Sequence, residues 1–287
     1  MAILITGGTG KTGSRLSQQL HKAGHSVYVA SRAGKAPGPE FKGVKFDWTD
    51  ASTFEAPFAA AAQANEKIDG VYLICPPGRD RTDVLTYMKP FIDLAVKKGV
   101  KRFVQLSASP INKGSPPHGL IHEYLDQIGV DYCVLRPTWF MNNFVESHPL
   151  LPLKNDDILC SNTENGRVPF VSADDIADAA FHALTDEKIV HRDQLVGGPE
   201  LLTFDDLAAT FTEVLGRKIT HKRLSPEENT QHLIKQGLPE QVAKFLAYGE
   251  ITVANGDEEK RFQVENKFTG RQTLKEFIQA NRQVWQK

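Results

Sequence analysis

The sequence predicts an α/β fold, a doubly wound parallel sheet followed by a smaller, mostly helical C-terminal lobe. Three observations lead there. The chain opens on an apolar run, Ala2 to Ile5, that breaks into glycines and passes at once into a helical pattern. Short apolar runs then alternate with helix-length stretches, the signature of βαβ units. From Leu201 onward the pattern turns mostly helical.

Composition narrows the classes. A chain of 287 residues with net charge −1 is long enough for one large or two modest cores and gives no argument for nucleic acid or an anionic membrane as partner. Met1 runs straight into the first strand without a basic leader, and no apolar run approaches membrane-span length, so a cytoplasmic protein is expected. Cys75, Cys133 and Cys160 are odd in number and lack metal-ligand spacing, which reads as free thiols and no metal.

The opening strand ends in Gly7, Gly8, Gly10 and Gly13. Gly10, Lys11 and Thr12 imitate the end of a nucleotide triphosphate loop, but that motif needs glycine where Ile5 stands. A dinucleotide fingerprint fits instead: a turn free of side chains lets a pyrophosphate approach main-chain N–H groups at the partly positive end of a helix. Thr6, Gly7, Gly10, Lys11, Thr12 and Gly13 are the candidates to hold it.

Gly24 stops the first helix, and His25 to Ser31 makes a second strand. Where this fold usually places an acid for the ribose 2′-hydroxyl stand Ser31 and Arg32, and no Asp or Glu occurs before Glu40. A guanidinium binds a 2′-phosphate bidentately, so NADP(H) is predicted over NAD(H). A third strand, Val44 to Phe46, leads to Asp47 and Trp48, candidates for the adenine side, with Asp47 equally readable as a turn carboxylate. A helix follows from Ala51 to Ala64, then a strand from Gly70 to Cys75 that stops on Pro76 and Pro77. After a helix from Thr82 to Lys98, Arg102 to Ser109 forms the fifth strand, His118 to Ile128 a helix and Val130 to Leu135 the sixth strand. Ser107 and Ser109 lie at the carboxyl end of the fifth strand, the nicotinamide side.

Reductases of ketones in short-chain folds usually carry a tyrosine four residues before a lysine, to protonate the carbonyl oxygen. Four residues after the six tyrosines here come Arg32, Pro76, Phe91, Ile128, Arg136 and Thr252. No dyad exists; Ser109 and His122 are the remaining catalytic candidates. Hydride transfer to an iminium carbon yields a neutral amine and needs no such donor, and a quinone relaxes the demand similarly. His118 and His122 have one-face spacing but no glutamate or third ligand for a metal.

Beyond the sixth strand, Trp139, Phe140, Met141 and Phe144 form an aromatic, polarizable cluster, and Phe170 joins Trp139, Phe140 and Met141 as candidate substrate contacts. Ser147 to Glu164 reads as a loop or lid and Arg167 to Val171 as a short strand. Ser172 caps a helix through Leu184, Gln194 to Val196 is a strand, and Thr203 with Asp206 and Ser225 with Glu228 read as capping boxes. The division expected is a cofactor domain over residues 1–150, completed by 166–200, and a substrate-side lobe over 201–287.

The stretches LITGGTGKT, VASR, FDW, CPP, LSAS, KGSPPHGLIHEYLD, YCVLRPTWFMNNF, TENGRVPF, GPELLTFDDLA and VLGRKITH span most of the chain. Together they make it resemble the NmrA-like, atypical short-chain dehydrogenases with a Rossmann sheet, and among them the fungal festuclavine and agroclavine dehydrogenases of ergot alkaloid biosynthesis. The resemblance implies NADPH- or NADH-dependent reduction of a cyclic iminium, formed when a chanoclavine-type aldehyde closes onto its own secondary amine. By position it assigns Gly7, Gly10, Gly13 and Arg32 to the cofactor, with Cys75, Pro76 and Ser107 lining the nicotinamide side. The expected partner is a cationic, alkaloid-like small molecule; self-association is left open. The competing expectations are an NADPH-dependent quinone or azo-type reductase and a non-catalytic, NADP-binding redox sensor.

Overall fold

The computed structural model describes residues 1–75, 84–146 and 150–286. Pro76 and the rest of the proline turn lie outside the described residues, as does the start of the helix expected from Thr82. In chain order the first elements are β1 (Ala2–Thr6), α1 (Lys11–Lys22), β2 (Ser26–Ser31), β3 (Lys42–Lys45), α2 (Ala56–Gln63) and β4 (Ile68–Ile74). There follow α3 (Val84–Lys97), β5 (Arg102–Leu106), α4 (His118–Gln127), β6 (Asp131–Pro137), α5 (Asn143–Glu146), α6 (Leu150–Asn155) and β7 (Ile158–Ser161). The remainder is α7 (Ala173–Thr185), β8 (Asp193–Gly197), α8 (Phe204–Leu215), β9 (Thr220–Arg223), α9 (Pro226–Lys235), α10 (Glu240–Ala254), α11 (Asp257–Arg261), β10 (Lys267–Thr269) and α12 (Leu274–Ala280).

An eight-stranded sheet runs in the order β10-β8-β6-β5-β4-β1-β2-β3, and β7 pairs separately with β9. From β3 to β6 every neighbouring pair is parallel, with β1 central between β2 and β4. That explains the sequence of β1: all five residues of AILIT are buried, because helices cover both faces of a parallel sheet and leave no polar side. The fold is the doubly wound α/β architecture expected.

The chain packs as two compact units, Met1–Pro137 with Ile176–Leu195, and Thr138–Asp175 with Val196–Lys287. Residues 138–150 thus group with the second unit. The first unit's core joins Leu4 and Val71 of the sheet to Phe91 and Ile92 of α3 and Ile121 and Leu125 of α4. The second unit's core is built on Phe144, Phe170, Phe211, Phe277 and Trp285.

Local chemistry accounts for the departures from expectation. The helix expected from Ala51 to Ala64 is split into a 3₁₀ turn, Ala51–Thr53, capped by the Asp50 side chain, and α2. Pro57 is the cause, since it lacks an N–H and is tolerated only in a first turn. Arg167 to Val171 is not a strand: Val168 and Val171 make single bridges, to Leu202 and Phe140, with the donorless Pro169 between them. Of the stretch read as a lid, the described part holds α6 and β7, and β7 registers Ile158 on Thr220 through Ser161 on Arg223. The capping boxes at Thr203 and Ser225 are both present, and Thr273 with Glu276 adds a third.

Candidate functional site

The turn after β1 is built so that backbone, not side chain, faces outward. Gly7 takes φ +70°, and Gly10 N–H donates to the Gly7 carbonyl at 2.9 Å. A Cβ on Gly13 would stand 2.5 Å from that carbonyl oxygen and 2.8 Å from Gly8 Cα, so the crossing of turn and helix admits only glycine there. With Gly10 as N-cap, α1 has no side-chain cap hydrogen bond and no acid in its first turn. Its first N–H groups and dipole are therefore left to an anion. The cradle fits a dinucleotide pyrophosphate.

Thr6 and Thr12, expected at the cofactor, are buried and hold the turn from behind. Thr6 Oγ1 donates to the Tyr72 carbonyl and accepts from Ile74 N–H, each at 2.8 Å, and the Tyr72 hydroxyl donates to Thr12 Oγ1 at 3.1 Å. Burial pushes the Tyr72 phenol up. Lys11 and Gly10 remain at the surface of the turn.

At the end of β2, Ser31 Oγ accepts from Lys35 N–H at 2.9 Å and donates to the Lys35 carbonyl at 2.8 Å. This closes a short loop on which Arg32 is exposed, and no carboxylate among the described residues pairs with it. Asp47 Oδ1 accepts from Thr49 N–H at 2.9 Å, the turn role considered for it. Trp48 is a correction. Its ring is buried against Phe46, Phe54 and Phe91, with edge-on centroid distances of 4.8 Å to Phe46 and 5.4 Å to Phe91, so it belongs to the aromatic core.

Ser107 and Ser109 follow β5, both buried, with N–H groups donating to the carbonyls of Leu135 and Pro137 at 2.8 and 2.9 Å. Cys75, half-buried, follows directly on β4. His122 does not line an open cleft: it is buried, edge-on to Tyr132 at 5.6 Å, and burial lowers its pKa, leaving a neutral core imidazole. Lysine does reach phenols by folding where spacing gave no dyad. Lys42 donates to Tyr28 at 3.4 Å and Lys89 to Tyr124 at 3.0 Å, but burial and the neighbouring Glu66 and Asp93 raise both phenols rather than tuning them for proton transfer. No group of metal-binding side chains and no helix long and apolar enough to cross a membrane occurs among the described residues.

The second unit contains a cavity of about 280 Å³ lined by Trp139, Phe140, Phe170, Phe204, Leu233 and Leu246, with Cys160, Asn229, His232 and Glu250 among its polar members. Three of the four expected substrate contacts meet here. Met141 does not; it is buried in the core beside Phe144. Glu250 and His232 escape a reading by motif, yet Glu250 had a signal. It falls with Ala243, Ala247 and Val253 on the buried stripe of α10, where a carboxylate at helical spacing is out of place. Burial pushes Glu250 up to about 7, opposed by hydrogen bonds from Asn162 and Asn229.

A parallel sheet with a glycine cradle at the first strand–helix turn defines a nucleotide-binding α/β protein, and the chain belongs to the NmrA-like family, which it matches over residues 1–278. Among individual proteins it is 39% identical to festuclavine synthase I of Penicillium roqueforti (strain FM164), over 99% of this chain and 100% of that one. It is 41% identical to agroclavine dehydrogenase of Claviceps purpurea (strain 20.1), over 91% and 89% of the two chains. Citrobacter sp. triphenylmethane reductase, in its complex with NADP(H), shares the fold at TM-score 0.75 and 21% identity, over 98% and 99%.

Proposed function

We propose that this protein is an NADPH-dependent oxidoreductase that reduces a cyclic iminium, C=N⁺, to an amine in ergot-type alkaloid biosynthesis. One observation carries the reading: a glycine turn fit for a dinucleotide sits in a chain with no tyrosine–lysine dyad to protonate an alkoxide. Gly7, Gly10 and Gly13 admit the pyrophosphate to the first N–H groups of α1, and Arg32 takes the 2′-phosphate. A reduced nicotinamide held there would supply a hydride; an iminium carbon that accepts it leaves the C=N π pair on nitrogen as a lone pair, so no side chain has to deliver a proton. The chain's task is then to orient the acceptor and exclude water, for which Trp139, Phe140 and Phe170 supply an apolar aromatic wall. Relatives named festuclavine synthase and agroclavine dehydrogenase, at 39% and 41% identity, support the substrate class.

The test is loss of NADPH absorbance with a cyclic iminium, with a quinone and with no acceptor. Turnover with the iminium supports the assignment. Turnover with quinone alone, or tight NADPH binding without turnover, overturns it in favour of a quinone reductase or a redox sensor.

A further inference from the structure

The cavity of the second unit holds an acid among aromatic rings, and no lysine or arginine among the described residues pairs with it. Both hydrogen bonds to Glu250 go to one oxygen: Oε2 accepts from Asn162 N–H at 2.6 Å and from Asn229 Nδ2 at 2.8 Å. The donors are themselves fixed. Asn229 Nδ2 also donates to Asn162 Oδ1 at 2.6 Å, and Asn162 Nδ2 donates to the Ala247 carbonyl at 3.1 Å. The carboxyl is thereby held in place with Oε1 left over, on a residue that lines the cavity.

The other titratable groups lining this space are His232 on α9 and Cys160 on β7. Burial lowers His232, helped by the charges of Lys222 and Lys235 and opposed by Asp156. Burial raises Cys160, with Glu250 and Asp156 acting in the same sense and Lys222 against. Both are neutral near neutral pH, so nothing inside the cavity balances an ionised Glu250. A buried carboxylate without a partner is unfavourable, and a ligand carrying the missing charge relieves that.

We propose that Glu250 is the anionic anchor of this cavity and that its ligand is a flat, largely apolar molecule bearing one positive charge on nitrogen. The charge meets Oε1 while the rings of Trp139, Phe140, Phe170 and Phe204 enclose the remainder, an arrangement that favours cations over shape-matched neutral molecules. For the natural substrate this rests on the iminium reading above; the binding preference itself is measurable without NADPH. Burial raises the carboxyl to about 7, so a cation and a proton compete for Glu250 near neutral pH.

Calorimetric titration of the full chain with 1-methylquinolinium and with its neutral isostere 1-methylnaphthalene tests the assignment. Expected is a dissociation constant for the cation about tenfold or more weaker in Glu250→Gln, with the neutral isostere unchanged within about threefold. In the unaltered protein, affinity for the cation should strengthen about tenfold from about pH 6 to about pH 8, and the isostere should stay flat. That pH series decides the matter even if the variant does not fold. A flat profile for the cation, or a folded Glu250→Gln that binds it as the unaltered protein does, overturns the proposal. If iminium turnover is seen alongside either result, the Glu250 assignment falls alone. If the titrations behave as stated and only quinone is reduced, the anchor stands and the reaction assignment falls.

Discussion

Gly13→Ala places a methyl carbon 2.5 Å from the Gly7 carbonyl oxygen and 2.8 Å from Gly8 Cα. Both obstacles are backbone, so no side chain can swing aside and the turn itself has to open. Overpacking of this kind costs about 1–3 kcal/mol, against roughly 1 kcal/mol that alanine gains over glycine inside a helix. The net change in stability is therefore small. Binding suffers the larger change, because the atoms displaced belong to the cradle of the pyrophosphate; the same 1–3 kcal/mol, taken from affinity, is roughly 5- to 150-fold. NADPH fluorescence titration reads it, with a urea midpoint to show that the variant is folded. Gly10→Ala is the graded comparison: its Cβ meets the same oxygen at 3.2 Å, and a shift of a few tenths of an ångström relieves it. A folded Gly13→Ala that binds NADPH within about twofold of the unaltered protein refutes the cradle, and a larger loss in Gly10→Ala refutes the geometric ranking.

Arg32→Ala should weaken NADPH roughly tenfold or more while leaving NADH nearly unchanged, as expected for about 1.5–3 kcal/mol of hydrogen bonding to a charged group; equal losses for both cofactors would remove the 2′-phosphate assignment. Ser109→Ala should retain hydride transfer to a cyclic iminium within a few-fold, measured by single-turnover NADPH oxidation, and complete loss with NADPH binding intact would show that a proton donor is required after all. Glu250 sets a pH dependence of stability: its carboxyl is raised from 4.5 to about 7 by burial, so the stability it lends is complete below pH 4.5 and is lost as the pH rises to about 7. Across that window the unaltered protein should lose on the order of 3 kcal/mol relative to Glu250→Gln, which has no proton to release. Urea denaturation at the two ends reads the difference, and parallel slopes would show that Glu250 is ordinary in the folded state.

What was legible in the sequence and what was not divides along the range of the forces involved. The turn at Gly7, Gly10 and Gly13 is readable because its constraint is mostly local: Gly7 takes a positive φ, and Gly10 and Gly13 answer to the backbone of Gly7 and Gly8 a few residues back. The caps at Thr203 and Ser225 are readable for the same reason, a side chain meeting an N–H three positions on. Trp48 defeats such a reading. Its surroundings come from Phe54 in the next turn and from Phe91 across the fold on α3, so its place at a strand end pointed to a ligand while its neighbours make it core. Thr6 is similar, its hydroxyl committed to β4 more than sixty residues away. The cavity was half legible. Trp139 and Phe140 announce it as a cluster, whereas Glu250 reaches it only through a helix packed more than a hundred residues later.

The first compact unit does not end where its sixth strand ends. Its last stretch, Ile176–Leu195, arrives only after residues 138–175 have been made for the other unit. That stretch carries most of α7 and the beginning of β8, the strand next to β6, with Val134 N–H donating to the Arg192 carbonyl at 2.8 Å. It also brings Leu184 to within 3.2 Å of where a Cβ on Gly70 would stand. On the ribosome, a chain that has emerged as far as Pro137 therefore exposes an open β6 edge and an uncovered patch around Gly70; the patch waits for Leu184 and the edge for β8. Vectorial synthesis makes that interval the one in which an unpaired strand edge stands open to pairing with another chain.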